Sequence, residues 1–357
     1  MAVVVVVALM LGSMAARTCE ASIRFPYPFL PEWLNPPPSP PAPVLRYDYY
    51  KDTECSGVED TVRRVVAEAE ERQPGIGAGL IRLFFHDCFV EGCDASVLLR
   101  PTKANPQPEM LGVPNVNSLH GFNVIDDAKK ALREKCEGVV SCADILAFAA
   151  RDATVLLGKV KHFEMPSGRY DGRVSNASYT LYNLPPPFAD LRLLKDMFKL
   201  KGFNTDEMVT LSGAHSIGVS RCSSFCDRSD NASSNMNPWL ASKLRSQCTC
   251  NTSSLNAMVN QDNVTPRVLD NQYYWNVINK KVLFKSDAAL LSSWETAAEV
   301  LVNALYPNKW EEKFAAAMVK MGSIDVKSKD DGEIRKVCGF VNYSTPDREG
   351  DVRVADQ

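Results

Sequence analysis

Eleven cysteines in 357 residues constrain this chain more than any other feature of it. Ten of them (Cys55, Cys88, Cys93, Cys136, Cys142, Cys222, Cys226, Cys248, Cys250 and Cys338) form an even set across the body, and Cys19 stands near the N-terminus. In a secreted chain such a count implies disulfides rather than free thiols. Residues 2–11 (Ala-Val-Val-Val-Val-Val-Ala-Leu-Met-Leu) are a short apolar run followed by Gly-Ser-Met-Ala-Ala. That run is too short to span a bilayer and ends in small residues, which is the pattern of a secretory signal peptide. We place the peptide at residues 1–16, with cleavage near Ala15–Ala16, although its start lacks a Lys or Arg. Cys19 then lies beside the cut and is either lost or unpaired. Five sequons, at Asn176, Asn231, Asn251, Asn263 and Asn342, fit the same route. The expected product is a secreted, disulfide-bonded glycoprotein.

The chain is 45 % apolar and 23 % charged, with a formal net charge of −3. That balance points to no nucleic-acid or anionic-membrane partner, and no other stretch is apolar enough to cross a membrane. Residues 17–44 form an extension whose segment 26–43 is proline-rich and ends Asn-Pro-Pro-Pro-Ser-Pro-Pro-Ala-Pro. Such composition favours polyproline II and builds no core. It reads as a solvated spacer, with a docking arm for a wall polymer as the alternative. The body occupies residues 45–342, and residues 343–357 are an acidic tail expected to be disordered. The body's length allows one large domain or two halves sharing a cleft.

Within the body the periodicity is helical. Val58, Val62, Val65, Val66 and Ala69 form one stripe before Gln73-Pro74-Gly75. Residues 121–135 and 141–156 continue the pattern, the second opening on Ser141 three residues before Asp144. Trp310, Phe314, Ala317, Met318 and Met321 make a further stripe that reads as core. Alternating strand patterns are scarce, and no long repeat is visible.

Three segments carry chemistry. If residues 78–87 are helical, Arg82, Phe85 and His86 share a face and present a cation, an apolar wall and a titratable imidazole to one small volume. Moving a proton while stabilising a developing negative charge needs such a set. The chain has four histidines, His86, His120, His162 and His215. His215 lies in Thr210-Leu-Ser-Gly-Ala-His215-Ser216-Ile-Gly, where Gly and Ala leave room for something large at the imidazole. Taken alone, a histidine like this is more often packed core. Asp262-Asn-Val-Thr265-Pro-Arg-Val268-Leu-Asp270 gathers the oxygen donors of a hard-cation site, although such loops are commonly solvated turns.

Together these segments resemble the secretory plant-type haem peroxidases, the class III family, over residues 45–342. The marks are Arg82-Leu-Phe-Phe-His86-Asp-Cys88-Phe-Val with Gly92-Cys93-Asp94-Ala-Ser96, and Val139-Val-Ser-Cys142-Ala-Asp-Ile-Leu-Ala. Leu211-Ser-Gly-Ala-His215-Ser-Ile-Gly, Asp270-Asn-Gln-Tyr-Tyr, Ala317-Met-Val-Lys-Met-Gly and Gly332-Glu-Ile-Arg-Lys-Val-Cys338 follow in the family's order. The resemblance implies an all-α fold of about ten helices in two halves with haem b between them. It implies a peroxidase that reduces hydrogen peroxide through a ferryl intermediate and oxidises phenolic donors one electron at a time.

By the same resemblance His215 is the axial iron ligand and Asp287 accepts its other N–H. His86 is the proton-transferring base, Arg82 stabilises the breaking O–O bond, and Asn115 accepts from His86 with support from Glu109. Phe85 walls the pocket, and Pro185 lines the donor site. Two calcium ions are implied. The distal one is held by Asp87, Val90, Gly92, Asp94 and Ser96, and the proximal one by Ser216, Asp262, Thr265, Val268 and Asp270. The implied disulfides are Cys55–Cys136, Cys88–Cys93, Cys142–Cys338 and Cys222–Cys248. Cys226 and Cys250 depart from the family pattern and read as a fifth bridge, with a swapped pairing still open.

Ser216 stands where the family usually has threonine, Gln261 where an apolar residue is usual, and His120 where arginine is common. His120 and His162 read as surface polar residues, and Asn263 overlaps the calcium loop, making it the least favoured sequon. The implied setting is the apoplast or cell wall rather than the vacuole, for a monomer acting on peroxide and small phenols. A non-catalytic wall protein is the rival reading, and Arg82, His86, Asn115, His215 and Asp287 together argue against it. A zinc or thiol hydrolase built on His86 and Cys88 fails, because a cysteine in a disulfide is neither nucleophile nor ligand.

Overall fold

The computed structural model describes residues 44–230, 235–248 and 253–342. The signal peptide, the proline-rich segment 26–43, Cys19, Cys250, Asn231, Asn251 and the tail 343–357 lie outside the described residues. Among those described there are thirteen α-helices and two short strands. Ten of the helices span seven residues or more, and three are single turns of five.

In α1 (Val58–Arg72) the expected stripe Val58, Val62, Val65, Val66 and Ala69 is the buried face. Glu59 and Asp60 in its first turn and Arg72 in its last complement the helix dipole. Gln73-Pro74-Gly75 then breaks the chain, and Gly75, at φ 102°, starts α2 (Ile76–Val90). α3 (Phe122–Cys136) and α4 (Cys142–Leu157) fall within a residue of their expected bounds. Ser141 Oγ caps α4 by accepting from the Asp144 N–H at 3.0 Å. Every α4 side chain from Cys142 to Thr154 is buried, and the helix packs on α1, α2 and α3.

The next elements are α5 (Tyr179–Asn183), α6 (Leu191–Leu200) and α7 (Thr205–Ser212). α7 opens on a capping box formed by Asn204 and Glu207. A 3-10 turn, Gly213–Ser216, leads into β1 (Val219–Arg221), which pairs antiparallel with β2 (Met258–Asn260) and sets Ser220 opposite Val259. α8 (Cys226–Asp230) and α9 (Pro238–Gln247) lie between the two strands in sequence. After β2 come α10 (Gln272–Ile278), α11 (Lys285–Ala289), α12 (Trp294–Leu305) and α13 (Pro307–Met321). The α13 stripe Trp310, Phe314, Ala317, Met318 and Met321 is buried, as its spacing predicts.

One large core joins α1–α4 to α7, α10, α12 and α13, so the segments bearing His86 and His215 share it. A smaller core of Phe225, Leu240, Leu244, Val259 and Leu283 lies by the two-stranded ribbon. Asp144 pins the start of α4 through a fully buried ion pair with Arg169 at 2.6 Å. Its oxygens also accept from Tyr50 Oη at 2.6 Å and Gly168 N at 2.7 Å. Removing one partner of such a pair would strand a buried charge, at about 3–5 kcal/mol.

The disulfides Cys55–Cys136, Cys88–Cys93, Cys142–Cys338 and Cys222–Cys248 are formed as expected. Cys226 is also disulfide-bonded, while its expected partner Cys250 lies outside the described residues. Among the described residues no helix is long and apolar enough to cross a membrane.

Candidate active site

α2 places Arg82, Phe85 and His86 one turn apart, so its helicity alone brings them together. His86 is 5 % exposed, and its Nδ1 lies 2.6 Å from Asn115 Oδ1. Asn115 Nδ2 donates to the main-chain carbonyl of Glu109 at 2.8 Å, which fixes the amide's orientation. An amide oxygen facing Nδ1 assigns the proton there and leaves Nε2 as the lone-pair nitrogen. Burial, then the neighbouring Arg82, hold the His86 imidazole well below its usual range, against the opposing pull of Asn115. It is therefore a neutral base at neutral pH.

Arg82 donates through Nη1 to Ser118 O at 2.7 Å, and through Nη2 to Pro114 O at 3.0 Å and Ser118 Oγ at 3.2 Å. Burial lowers its pKa to about 10, which still leaves it charged at neutral pH. The 114–118 loop thus positions the base through Asn115 and the cation through Pro114 and Ser118. Phe85 packs edge-on to the His86 ring at 5.6 Å and tilts against Phe89 at 4.3 Å, so its wall is itself supported.

His215 lies in the turn after α7, and its Nδ1 is 2.8 Å from Asp287 Oδ1. The imidazole side chain is 39 % exposed and its carboxylate partner 3 %, so one face of the ring stays open while its far nitrogen is tied down. Asp287 Oδ1 also accepts from Tyr273 Oη at 2.8 Å, and Phe284 packs edge-on to the imidazole at 5.2 Å. Sequence reasoning assigned no role to Tyr273 or Phe284. The Tyr273 signal was available, because a buried tyrosine hydroxyl needs a partner.

Gly213 serves a different purpose from the expected one. A Cβ there would lie 2.7 Å from Tyr274 Oη and 2.9 Å from the Trp310 ring, so the missing side chain lets the turn pack on those two residues. Past His215, a Cβ on Gly218 would meet Ala78 of α2 at 3.4 Å, which is where the two histidine-bearing segments approach each other. Pro185 is half-buried in the segment whose Pro187 carbonyl accepts from Ser286 N at 3.0 Å, one residue before Asp287.

The distal oxygen donors converge on the loop after α2. Asp87 Oδ2 accepts from Ala95 N at 2.9 Å, and Asp94 Oδ1 from Ser96 N at 2.9 Å. Gly92, at φ 101°, must be glycine, since its Cβ would meet Asp325 O at 2.5 Å. Burial and then the neighbouring Asp94 push the Asp87 carboxyl well above its ordinary range. Among the described residues, Ser96 Oγ and both carboxylate oxygens of Glu109 are buried with no hydrogen-bond partner. Buried like charges beside an unpartnered hydroxyl suit a hard cation. Lys327 Nζ lies 3.5 Å from Asp94 Oδ2. Glu109 meets Asn115 through its main chain alone, whereas the expectation left the supporting atom open.

At the proximal loop Thr265 Oγ1 lies 3.2 Å from Asp270 Oδ1 and 3.4 Å from Asp262 Oδ2. Asp270 N donates to Ser216 Oγ at 3.2 Å. The ribbon explains this convergence: β1 leaves the His215 turn, β2 returns to Asp262, and Gln261 N donates to Gly218 O at 3.0 Å. Val268 N donates to Thr265 O at 3.0 Å, closing the turn between them. Among the described residues no three histidine, cysteine or carboxylate side chains form a metal-ligand group. Either calcium site would therefore rely on hydroxyl and main-chain oxygens as well.

His120 and His162 are exposed, as expected, with His120 beside Gly79 of α2. Asn263 Oδ1 accepts from Lys243 Nζ at 3.0 Å, and its Nδ2 is buried, which disfavours a glycan there.

Comparison with known proteins bears on this geometry. A family model described as Peroxidase matches residues 62–304. The chain is 49 % identical over 333 residues to Peroxidase 2 of Zea mays, covering 92 % of this chain and 93 % of that one. It is 44 % identical over 304 residues to Peroxidase 5 of Vitis vinifera, with coverages of 84 % and 92 %. It is 41 % identical over 293 residues to the lignin-forming anionic peroxidase of Nicotiana sylvestris, with coverages of 82 % and 90 %.

Proposed function

This chain belongs to the peroxidase family, among the plant class III enzymes, and from that premise we propose that Arg82, His86 and Asn115 activate hydrogen peroxide at a haem that His215 would hold. The carrying observation is the unequal treatment of two histidines. The Nδ1 of His86 meets a neutral amide in a buried setting, while the Nδ1 of His215 meets a carboxylate and leaves the ring partly open. The first arrangement makes a base and the second a strongly donating ligand.

Haem is the cofactor of this family, and when bound it supplies the redox chemistry, taking two oxidising equivalents from peroxide and passing them on singly. The residues would supply geometry and protons. His86 Nε2 takes the proton of the entering peroxide and returns it to the departing oxygen as water leaves. Arg82 stabilises the negative charge on that oxygen, and Phe85 keeps bulky donors out. Phenols such as lignin or suberin precursors would then give up electrons near Pro185. One peroxide and two phenols yield two waters and two phenoxyl radicals.

The wider reading adds a calcium ion at each oxygen-donor loop. The distal loop offers Asp87, Val90, Gly92, Asp94 and Ser96, and the proximal loop Ser216, Asp262, Thr265, Val268 and Asp270. It adds secretion through residues 1–16 to the apoplast, a monomeric state, and wall contact through the proline-rich arm. The test is the visible absorption spectrum of the secreted, haem-loaded protein before and after one equivalent of peroxide. A five-coordinate ferric band that changes with peroxide and returns on adding a phenol is expected. His86→Ala should slow the change at least 10²-fold. Haem bound without any change would leave the non-catalytic wall protein as the better account.

A further inference from the structure

We infer that Arg228 is a positioning residue for the His215–Asp287 pair, bracing the backbone that presents both Asp287 and Phe284 to the imidazole. The inference rests on reading His215 as the iron ligand. Arg228 lies on α8 and is only 6 % exposed. The two N–H groups of its Nη1 are shared among three consecutive carbonyls, those of Val282 at 2.8 Å, Leu283 at 2.6 Å and Phe284 at 2.8 Å. Nη2 reaches Asn235 Oδ1 at 3.2 Å.

The Val282 and Leu283 carbonyls belong to no helix or strand, whereas the Phe284 carbonyl also accepts from Ala288 N at 3.2 Å and opens α11, so one cation ties an irregular segment to the start of that helix. Val282 and Leu283 are buried, and a side chain without donors would leave their carbonyls unpaired. The braced residues run directly into α11. Phe284 is its N-cap and packs on His215 at 5.2 Å, and Asp287, three residues on, meets His215 Nδ1 at 2.8 Å. On the far side Ser286 N is tied to Pro187 O at 3.0 Å. The short helix is therefore gripped before and beside its carboxylate. The brace is itself anchored, because α8 begins at disulfide-bonded Cys226, four residues after the Cys222–Cys248 bridge. Arg228 touches neither the imidazole nor the reacting atoms. Its influence runs through backbone carbonyls to a carboxylate, and from there to the basicity of a ligand.

The test compares haem-loaded wild type, Arg228→Met and Arg228→Lys by the iron–histidine stretching band of the ferrous state and by the reduction midpoint. A loosened carboxylate makes the imidazole a weaker donor. Arg228→Met should therefore lower the stretching frequency and favour reduction about tenfold, which is about 59 mV upward for one electron. Arg228→Lys should recover most of both, since an ammonium carries three N–H donors for the three carbonyls. If Arg228→Met does not fold, Asn235→Ala, which frees only Nη2, should shift both readouts the same way by less. A folded Arg228→Met with wild-type values overturns the proposal, as does an unshifted Asn235→Ala. A shift to lower potential also overturns it, because the guanidinium would then act as a bare charge beside Asp287. A wild type lacking the iron–histidine band would instead sink the reading of His215 itself.

Discussion

Replacing Asn115 by valine removes one acceptor and leaves the rest of the distal site in place. Its Oδ1 is 2.6 Å from His86 Nδ1, and its own Nδ2 is committed to Glu109 O at 2.8 Å, which holds the oxygen toward the ring. His86 is 5 % exposed, and its Nδ1–H would lose its partner in a nearly dry setting. An unsatisfied buried donor costs about 1–3 kcal/mol. The ring can avoid that cost only by moving the proton to Nε2, the atom needed as base. Either way the barrier to peroxide activation rises by a similar amount, which is roughly 5- to 150-fold in rate. The assay is stopped-flow measurement of the peroxide reaction on haem-loaded protein at pH 7.

Asn115→Asp tests the same contact from the other side. In the wild type, burial and then Arg82 hold His86 well below 6.5, so its rate should stay flat as pH falls past that value. A carboxylate at 115 would raise the imidazole's pKa, so the base would protonate, and the rate fall, at a higher pH than in the wild type. A valine variant within twofold of wild type, with haem fully bound, would refute the role given to Asn115.

Chelating calcium should make stability depend on pH in a definite direction. Burial and Asp94 raise the Asp87 carboxyl above its ordinary 3.8, so without the ion the folded state favours the protonated form. That contribution is present at low pH and is lost as pH rises through the raised value. The urea midpoint should therefore drop after chelation as pH rises above the ordinary carboxylate range and hold steady with calcium, and parallel curves would refute it. Cys142→Ser with Cys338→Ser opens a closure spanning 196 residues, and thermal or urea unfolding should register up to roughly 4–5 kcal/mol. Gly213→Ala drives a methyl into Tyr274 and Trp310, so it should cost about 1–3 kcal/mol and broaden the haem spectrum through His215. An alanine variant with unchanged melting would show that the turn can shift freely.

What could be read without the structure follows from how each element encodes itself. α1 and α13 announce themselves by apolar stripes long enough to count, and α4 by its Ser141 cap. α8, α11 and the ribbon are three to five residues long, too short for any periodicity to emerge. His86 and Arg82 were legible because one helix face unites them. His215 and Asp287 lie 72 residues apart, so only family motifs connected them. Arg228 acts through backbone carbonyls, and no residue pattern records which carbonyls turn where. Gly213 was misjudged for a related reason: a glycine signals a close approach without saying what approaches.

The bridge from Cys142 to Cys338 also sets an order of events during biosynthesis. Cys88 finds Cys93 five residues later and can close almost as soon as both emerge. Cys142, at the head of a helix buried from there to Thr154, must wait for a partner 196 residues downstream. At roughly 5–20 residues per second, that is about 10–40 s in which the thiol is without its mate. Cys222 and Cys248 both appear within that interval. Correct pairing therefore depends on nearer cysteines closing on each other first. The spacing of the crosslinks sets the earliest moment at which each can close, and the latest of those moments belongs to the one that ties the C-terminal end of the body to the start of α4.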